Sequence, residues 1–192
     1  MKKDAPETSS DVLTIGHSTH TLDAFIKLLQ THNVNHIVDV RTIPRSRRNP
    51  QFNRETLPDS LKAVSIRYTH MAGLGGLRRT RADSPNTGWR NASFRGFADY
   101  MQTRGFEKSL QTLIELARHD RIALMCAEVL PWRCHRSLIA DALLVRKIQV
   151  EHITEKKQRK SHKLTPWAVV NGTRIIYPPE SVQTGMKARK ES

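Results

Sequence analysis

Leu124-Met-Cys-Ala-Glu-Val-Leu-Pro-Trp-Arg-Cys-His-Arg-Ser-Leu-Ile139 is the stretch whose reading decides the fold. Arg121 to Met125 is a short apolar run that follows a helical pattern, the mark of a buried strand. Pro131 interrupts it. From Cys134 onward the apolar residues Leu138, Ile139, Ala142, Leu143 and Leu144 fall at helical spacing. A strand that ends at Cys126 therefore hands over to a helix that begins near Cys134. In α/β proteins such a junction faces ligands, because the helix start carries free N–H groups and the positive end of its dipole. The same stretch holds both cysteines of the chain, with Glu128, His135, Arg133 and Arg136.

Working outward, the same alternation recurs. Val12 to Ile15 reads as a strand closed by Gly16, and His17 and Ser18 open the loop after it. Thr21 is placed to cap a helix with Leu22, Phe25, Ile26, Leu28 and Leu29 on its buried face. His36 to Val40 is a second strand, interrupted by Asp39, and it leads into a loop with Arg41, Arg45, Arg47 and Arg48. Glu55 to Val64 reads as a short helix, and Ile66 to His70 as a third strand. After it, Gly73-Leu-Gly-Gly76 leads to Arg78 and Arg79. Its spacing is not that of a dinucleotide fingerprint.

Residues 80–93 read as a long loop, with Trp89 as a packing anchor or a stacking platform. Two helices follow, one capped by Ser93 and ended by Gly105, the other from Phe106 to His119. Gln149 to Ile153 is a further strand. Glu155 to Leu164 is polar and basic without clear periodicity, and Asn171-Gly172 marks a hairpin between Ala168–Val170 and Arg174–Tyr177. The expectation is a single α/β domain over residues 11–178, Rossmann-like, with a mainly parallel sheet flanked by helices and a C-terminal hairpin. Residues 1–10 read as a disordered N-terminus and 179–192 as a basic, disordered tail.

Composition narrows the function classes. The chain has 192 residues, with Lys+Arg 32 against Asp+Glu 18 and a net charge of +14. Such a surface favours polyanionic partners through counterion release, so a phosphate-bearing small molecule or nucleic acid is the expected ligand. A basic surface kept only for solubility gives the same sum. No apolar run approaches the roughly 20 residues that span a bilayer, so no membrane partner is expected. No signal peptide is visible, and two cysteines suit a reducing compartment, so the expected location is the cytoplasm. A Cys126–Cys134 disulfide is geometrically possible, but that compartment disfavours it.

Taken together, "TIGHS" (14–18), "VDVRTIPRSRR" (38–48), "FN" (52–53), "GLGG" (73–76), "CAEVLPWRCHRSLIA" (126–140) and "VEHI" (150–153) resemble the bacterial and archaeal family called domain of unknown function 488. The resemblance runs over roughly residues 12–178 and implies an α/β domain. It implies no reaction, so function is argued from the residues.

In a parallel sheet, the ends Ile15, Val40, His70 and Cys126 gather on one edge. That edge is expected to hold Glu128, Cys126, Asp39 and His17 as catalytic candidates. Ser18, Arg41, Arg45, Arg78, Arg79, Cys134, His135 and Arg136 are the candidates for binding substrate or anion. Arg136 and the helix start near Cys134 would take the anion, Glu128 would act as general acid/base, and Cys126 as a nucleophile activated by arginines.

Other readings stay open. A cysteine-phosphatase loop is disfavoured: Arg133 stands one position too far from Cys126, and Glu128 would repel phosphate. A zinc site has suitable donors in Cys126, Cys134, His135, His17 and His20, but no paired Cys-x-x-Cys, so no metal ligands or cofactor are assigned. A non-enzymatic nucleic-acid-binding module would use the charge alone. A structural role would bury Cys126 and pair Glu128 with Arg136.

Overall fold

The computed structural model describes residues 11–154 and 158–180. In chain order it contains β1 (Val12–Gly16), α1 (Leu22–Thr31), β2 (His36–Asp39), α2 (Leu57–Lys62), β3 (Arg67–His70), α3 (Ala92–Tyr100), α4 (Arg104–His119), β4 (Ile122–Cys126), α5 (Arg136–Leu144), β5 (Val150–Ile153), β6 (Arg159–Ser161), β7 (Val169–Asn171) and β8 (Arg174–Ile176). The first eight strands-and-helices arise as the apolar periodicity dictates, and the chain is a single α/β domain. Six strands form one sheet in the order β3-β2-β4-β1-β5-β6, and β7 and β8 form the separate hairpin. β1 to β5 pair in parallel, and β6 joins β5 antiparallel.

Strand side chains alternate between faces, so the sheet divides two cores. Ile122 and Leu124 of β4 pack with Phe97, Leu110, Leu113, Leu138 and Leu143 from α3, α4 and α5. Ala123 and Met125, one residue out of phase, pack with Phe25, Leu29, Leu57 and Leu61 from α1 and α2. Helices thus cover both faces, and every C-terminal strand end of β1–β5 points to one edge. Gly16 lies level with Cys126 in the β1–β4 pairing, and Asp39 level with Met125 in the β2–β4 pairing.

Local chemistry corrects several sequence expectations. Asn91, not Ser93, caps α3: its Oδ1 accepts from the amides of Ser93 at 2.8 Å and Phe94 at 3.4 Å. Gly105 does not end that helix but lies inside α4, which is capped by the Thr103 hydroxyl. The hairpin turn is Gly172-Thr173, since Asn171 pairs with Arg174 as the last rung and Gly172 adopts φ 60. The polar segment after β5 supplies an edge strand, β6. Charged side chains suit an edge, where one face is solvated and further pairing is discouraged. Trp89 is a packing anchor, set against Phe94, Trp167 and Tyr177 at ring-centre distances of 4.7, 5.0 and 5.7 Å. The expected disordered termini, 1–10 and the end of the 179–192 tail, lie outside the described residues.

One buried acid ties the C-terminal segment to α5. Asp141 of α5 is fully buried. Its carboxylate accepts from His162 Nε2 at 2.8 Å, the Thr165 amide at 3.0 Å, the Thr165 hydroxyl at 2.6 Å and the Tyr177 hydroxyl at 2.9 Å. Removing it strands four donors at once. Asp141→Ala is expected to cost about 3 kcal/mol or more in urea unfolding, with Asp141→Asn milder. A loss below about 1 kcal/mol would show that this carboxylate does not hold the segment in place.

Candidate functional site

The loops after β1, β2 and β4 enclose a cleft of about 640 Å³. Pairing continues past the strands into these loops: the His17 amide donates to Cys126 O at 2.9 Å, Ser18 N to Ala127 O at 3.0 Å, and Val40 N to Met125 O at 3.0 Å. The β4 loop presses against Gly16, where a Cβ would lie 2.1 Å from Glu128 O, so no larger residue fits. Lining the cleft are His17, Ser18, Arg41, Arg45, Cys126, Glu128, Cys134 and His135 among the residues expected from sequence. Arg133 joins them, as do Ile43, Leu77 and Phe94.

The wall from β2 is a rigid ionic unit. Asp39 is fully buried and accepts from Arg41 four times: Nε at 2.9 and 3.2 Å, Nη2 at 2.6 Å and the backbone amide at 3.0 Å. Tyr68 donates a further bond at 2.7 Å. Burial opposes the Arg41 charge, but Asp39 outweighs it and raises the Arg41 pKa. Arg41 Nη1 meets His17 Nε2 at 3.2 Å, while His17 Nδ1 sits 3.0 Å from Ser18 O. Both contacts are satisfied when His17 is neutral with its proton on Nδ1. Burial lowers its pKa to about 4, against the raising effect of the Ser18 carbonyl. Phe52 stacks on the ring at 4.2 Å. Asp39 and His17 therefore orient Arg41; neither has a free lone pair aimed at the cleft.

Arg136, expected to bind an anion, is buried beneath the floor with 1% exposure. Its Nη2 donates to the main-chain oxygen of Glu128, and more weakly to Val129 O at 3.5 Å. The anticipated Glu128–Arg136 side-chain ion pair does not form. The Glu128 carboxylate instead accepts from the Leu130 amide at 3.2 Å, at the cleft wall. Among the described residues no carboxylate pairs with Arg136. Its Nε points at Cys134 Sγ, 3.3 Å away.

Both cysteines are free. The Cys134 pKa is held well below its usual value by a hydrogen bond from Cys126, which outweighs burial, with help from His135 and Arg136. The Cys126 thiol is correspondingly pushed up, first by that bond and then by burial. His135 places Nδ1 3.7 Å from Cys134 Sγ and Nε2 3.0 Å from Val40 O. The donor atoms of Cys126, Cys134 and His135 all lie within 4.8 Å of one another.

The remaining arginines are placed differently. Arg45 and Arg133 are exposed at the mouth, and Arg45 makes only a surface ion pair with Glu55 at 3.2 Å. Arg78 turns back on its own loop, donating to Gly75 O at 2.9 Å and Ala72 O at 2.9 Å and stacking over Tyr100. Neither Arg78 nor Arg79 lines the cleft. The glycines before them serve close packing within the protein: Cβ atoms at Gly75 and Gly76 would meet Thr42 Oγ1 and His135 Nδ1, each at 2.5 Å.

Behind the floor runs a polar chain that sequence reading missed. Arg136 Nη1 lies 3.5 Å from Thr14 Oγ1, which lies 2.8 Å from His152 Nδ1; His152 Nε2 is 3.0 Å from His162 Nδ1, and His162 Nε2 reaches Asp141. Because Arg136 only donates and Asp141 only accepts, every donor in the chain points the same way.

The chain matches the family model "Domain of unknown function DUF488" over residues 21–143. Neither curated proteins nor solved structures gave a match.

The chain also fixes an acid limit. Burial lowers the His152 pKa from 6.5 to about 3, so the folded protein refuses a proton that the unfolded chain accepts. Stability contributed by this group is present above pH 6.5 and lost as pH falls toward 3. The urea midpoint is expected to fall steadily below pH 6.5, and His152→Gln should flatten that slope. An unchanged slope in the variant would place the acid sensitivity elsewhere.

Proposed function

We propose, on the premise that the chain belongs to the family of domain of unknown function DUF488, that the cleft binds a phosphate-bearing ligand and carries out hydrolytic or transfer chemistry on it. The observation that supports this most is the composition of the cleft wall. Arg41 is fixed by Asp39, Arg45 and Arg133 stand exposed at the mouth, Arg45 in a surface ion pair with Glu55, and Glu128 is the one carboxylate among the lining residues. Guanidinium groups match phosphate oxygens in geometry and charge, and Arg41, whose donors go to Asp39, Phe52 O and His17, holds the wall beside the two exposed ones.

Apolar residues among the arginines narrow the ligand. Ile43 and Leu77 are exposed at the mouth, at 65% and 67%, beside Phe94. Apolar surface next to arginines suits a nucleotide or a nucleic-acid end, with the base on the apolar side, better than a bare anion. In this reading Glu128 serves as general acid/base, because its carboxylate is held by one backbone amide only and faces the cleft. His17 and Asp39 act as positioning residues through Arg41. Cys126, Cys134 and His135 line the floor; with its thiol pushed up by the Cys134 bond and by burial, Cys126 is not the arginine-activated nucleophile that the sequence suggested. Close, free thiols fit a reducing location, so we place the protein in the cytoplasm. No helix among the described residues is long and apolar enough to cross a membrane.

The net charge of +14 supports a second reading, in which the surface binds nucleic acid without turnover. Two experiments separate the readings. The Arg45→Ala/Arg133→Ala double variant should weaken binding of a nucleoside 5′-monophosphate by roughly tenfold or more, with little change in melting temperature, since both residues are exposed. Unchanged affinity would remove these arginines from the site. Glu128→Gln should leave binding within about threefold and abolish turnover of the bound ligand. A variant that binds a single-stranded oligonucleotide normally, while the wild type shows no turnover of any phosphate ester or nucleotide, would favour the binding module.

A further inference from the structure

We infer that Cys126, Cys134 and His135 form a three-ligand site for a soft divalent metal, zinc by its donor set, whose open fourth position faces the cleft. The two sulfurs and Nδ1 converge within 4.8 Å of one another. Zinc bonds of about 2.3 Å to sulfur and 2.0–2.1 Å to nitrogen in a tetrahedron put ligand atoms at such separations. The Cys134–His135 separation of 3.7 Å already matches.

The orientation of the imidazole fits the same site. His135 Nε2 can meet the Val40 carbonyl at 3.0 Å only as a donor. Nδ1 on the other side of the ring faces Cys134 Sγ, which also accepts from Arg136 Nε at 3.3 Å. A metal between them would take the place of the single proton that this contact holds in its absence. Carbonyl-bound histidine is also the usual support for a metal-ligating imidazole. Each donor has such support here: Val40 O for His135, Arg136 for Cys134, and the Glu128 amide for Cys126. Gly76 keeps the space beside Nδ1 open, since a Cβ there would sit 2.5 Å from that atom. His17 and His20 are not part of the group: among the described residues the converging donors are those three alone.

All three ligands line the cleft, so the fourth position is left to water or substrate, the arrangement of catalytic rather than structural zinc. Two cysteines and a histidine, with a nearby glutamate that is not a ligand, is the apparatus that zinc-dependent nucleobase deaminases use. The chemistry follows. The metal lowers the pKa of its bound water. Glu128 takes one proton from that water, the hydroxide oxygen bonds to the electrophilic atom of the ligand, and the leaving group departs with its bonding electron pair and the proton returned by Glu128. This step rests on the cleft reading above; the metal site itself does not.

The test uses the full chain, expressed with zinc in the medium. One equivalent of zinc per chain is expected after gel filtration, and replacement by cobalt should give the visible bands of tetrahedral cobalt with thiolate charge transfer. Cys126→Ser, Cys134→Ser and His135→Ala should each reduce retained metal at least tenfold, whereas Glu128→Gln should retain it fully. Should the ligand variants fail to fold, the wild type still decides. Its two thiols should react slowly with a disulfide reagent when metal is bound and at least tenfold faster after chelation. Substoichiometric zinc, absence of cobalt–thiolate bands, or thiol reactivity indifferent to the chelator would overturn the inference. Nucleotide binding measured on the same samples keeps the two proposals apart. Metal bound without nucleotide binding sinks the cleft reading alone, and nucleotide bound without metal sinks the zinc site alone.

Discussion

The Arg136 guanidinium is the interaction on which the site depends. A buried arginine without a carboxylate partner is costly unless its donors are satisfied. Here they are shared among the main-chain oxygens of the β4 loop, the sulfur of Cys134 and the hydroxyl of Thr14. Those groups belong to β1 and to the loop between β4 and α5, and Arg136 itself opens α5. One cation therefore fixes how the loop carrying Glu128 crosses over β1, and where Cys134 faces the cleft. The residual charge is answered at a distance, through Thr14, His152 and His162 to Asp141. Such a chain tolerates no reversal, because each member donates in one direction only.

This arrangement explains a division of labour among the arginines. Arg41 and Arg136 are buried and hold the walls in position. Arg78 satisfies the carbonyl groups of its own loop. Arg45 and Arg133 alone stand exposed at the mouth, Arg45 in a surface ion pair with Glu55. A basic sequence thus yields a cleft with few mobile cations, backed by a rigid scaffold. That combination suits the proposed phosphate-bearing ligand through orientation rather than general attraction.

The strand-to-helix junction at 122–144 was legible because apolar periodicity is a property of a single segment. So was the gathering of His17, Asp39, Arg41 and Cys126 at one edge, which follows from parallel alternation. The roles of Arg136 and Arg78 were not legible. A guanidinium serves equally well as a ligand for anions or for carbonyl groups, and only the fold shows which oxygens are near. Thr14, His152, His162 and Asp141 went unnoticed for a related reason: they meet across up to 138 residues of sequence. Asp141 did leave a trace, as an acid inside the apolar run Ile139-Ala-Asp-Ala-Leu143, where an unpaired carboxylate would be untenable. Cys134 and His135 are adjacent in sequence, so side-chain convergence on one point gave no spacing signal of the kind that paired cysteines give.

The central claim is that a phosphate-bearing ligand enters this cleft and lies over the sulfur–imidazole floor. Backbone amide NMR of the full chain, titrated with a nucleoside 5′-monophosphate, tests it most directly. Saturable shifts concentrated at residues 17–18, 41–46 and 126–135 are expected. Shifts scattered over exposed lysines and arginines, or none in those three loops at saturating ligand, would contradict it.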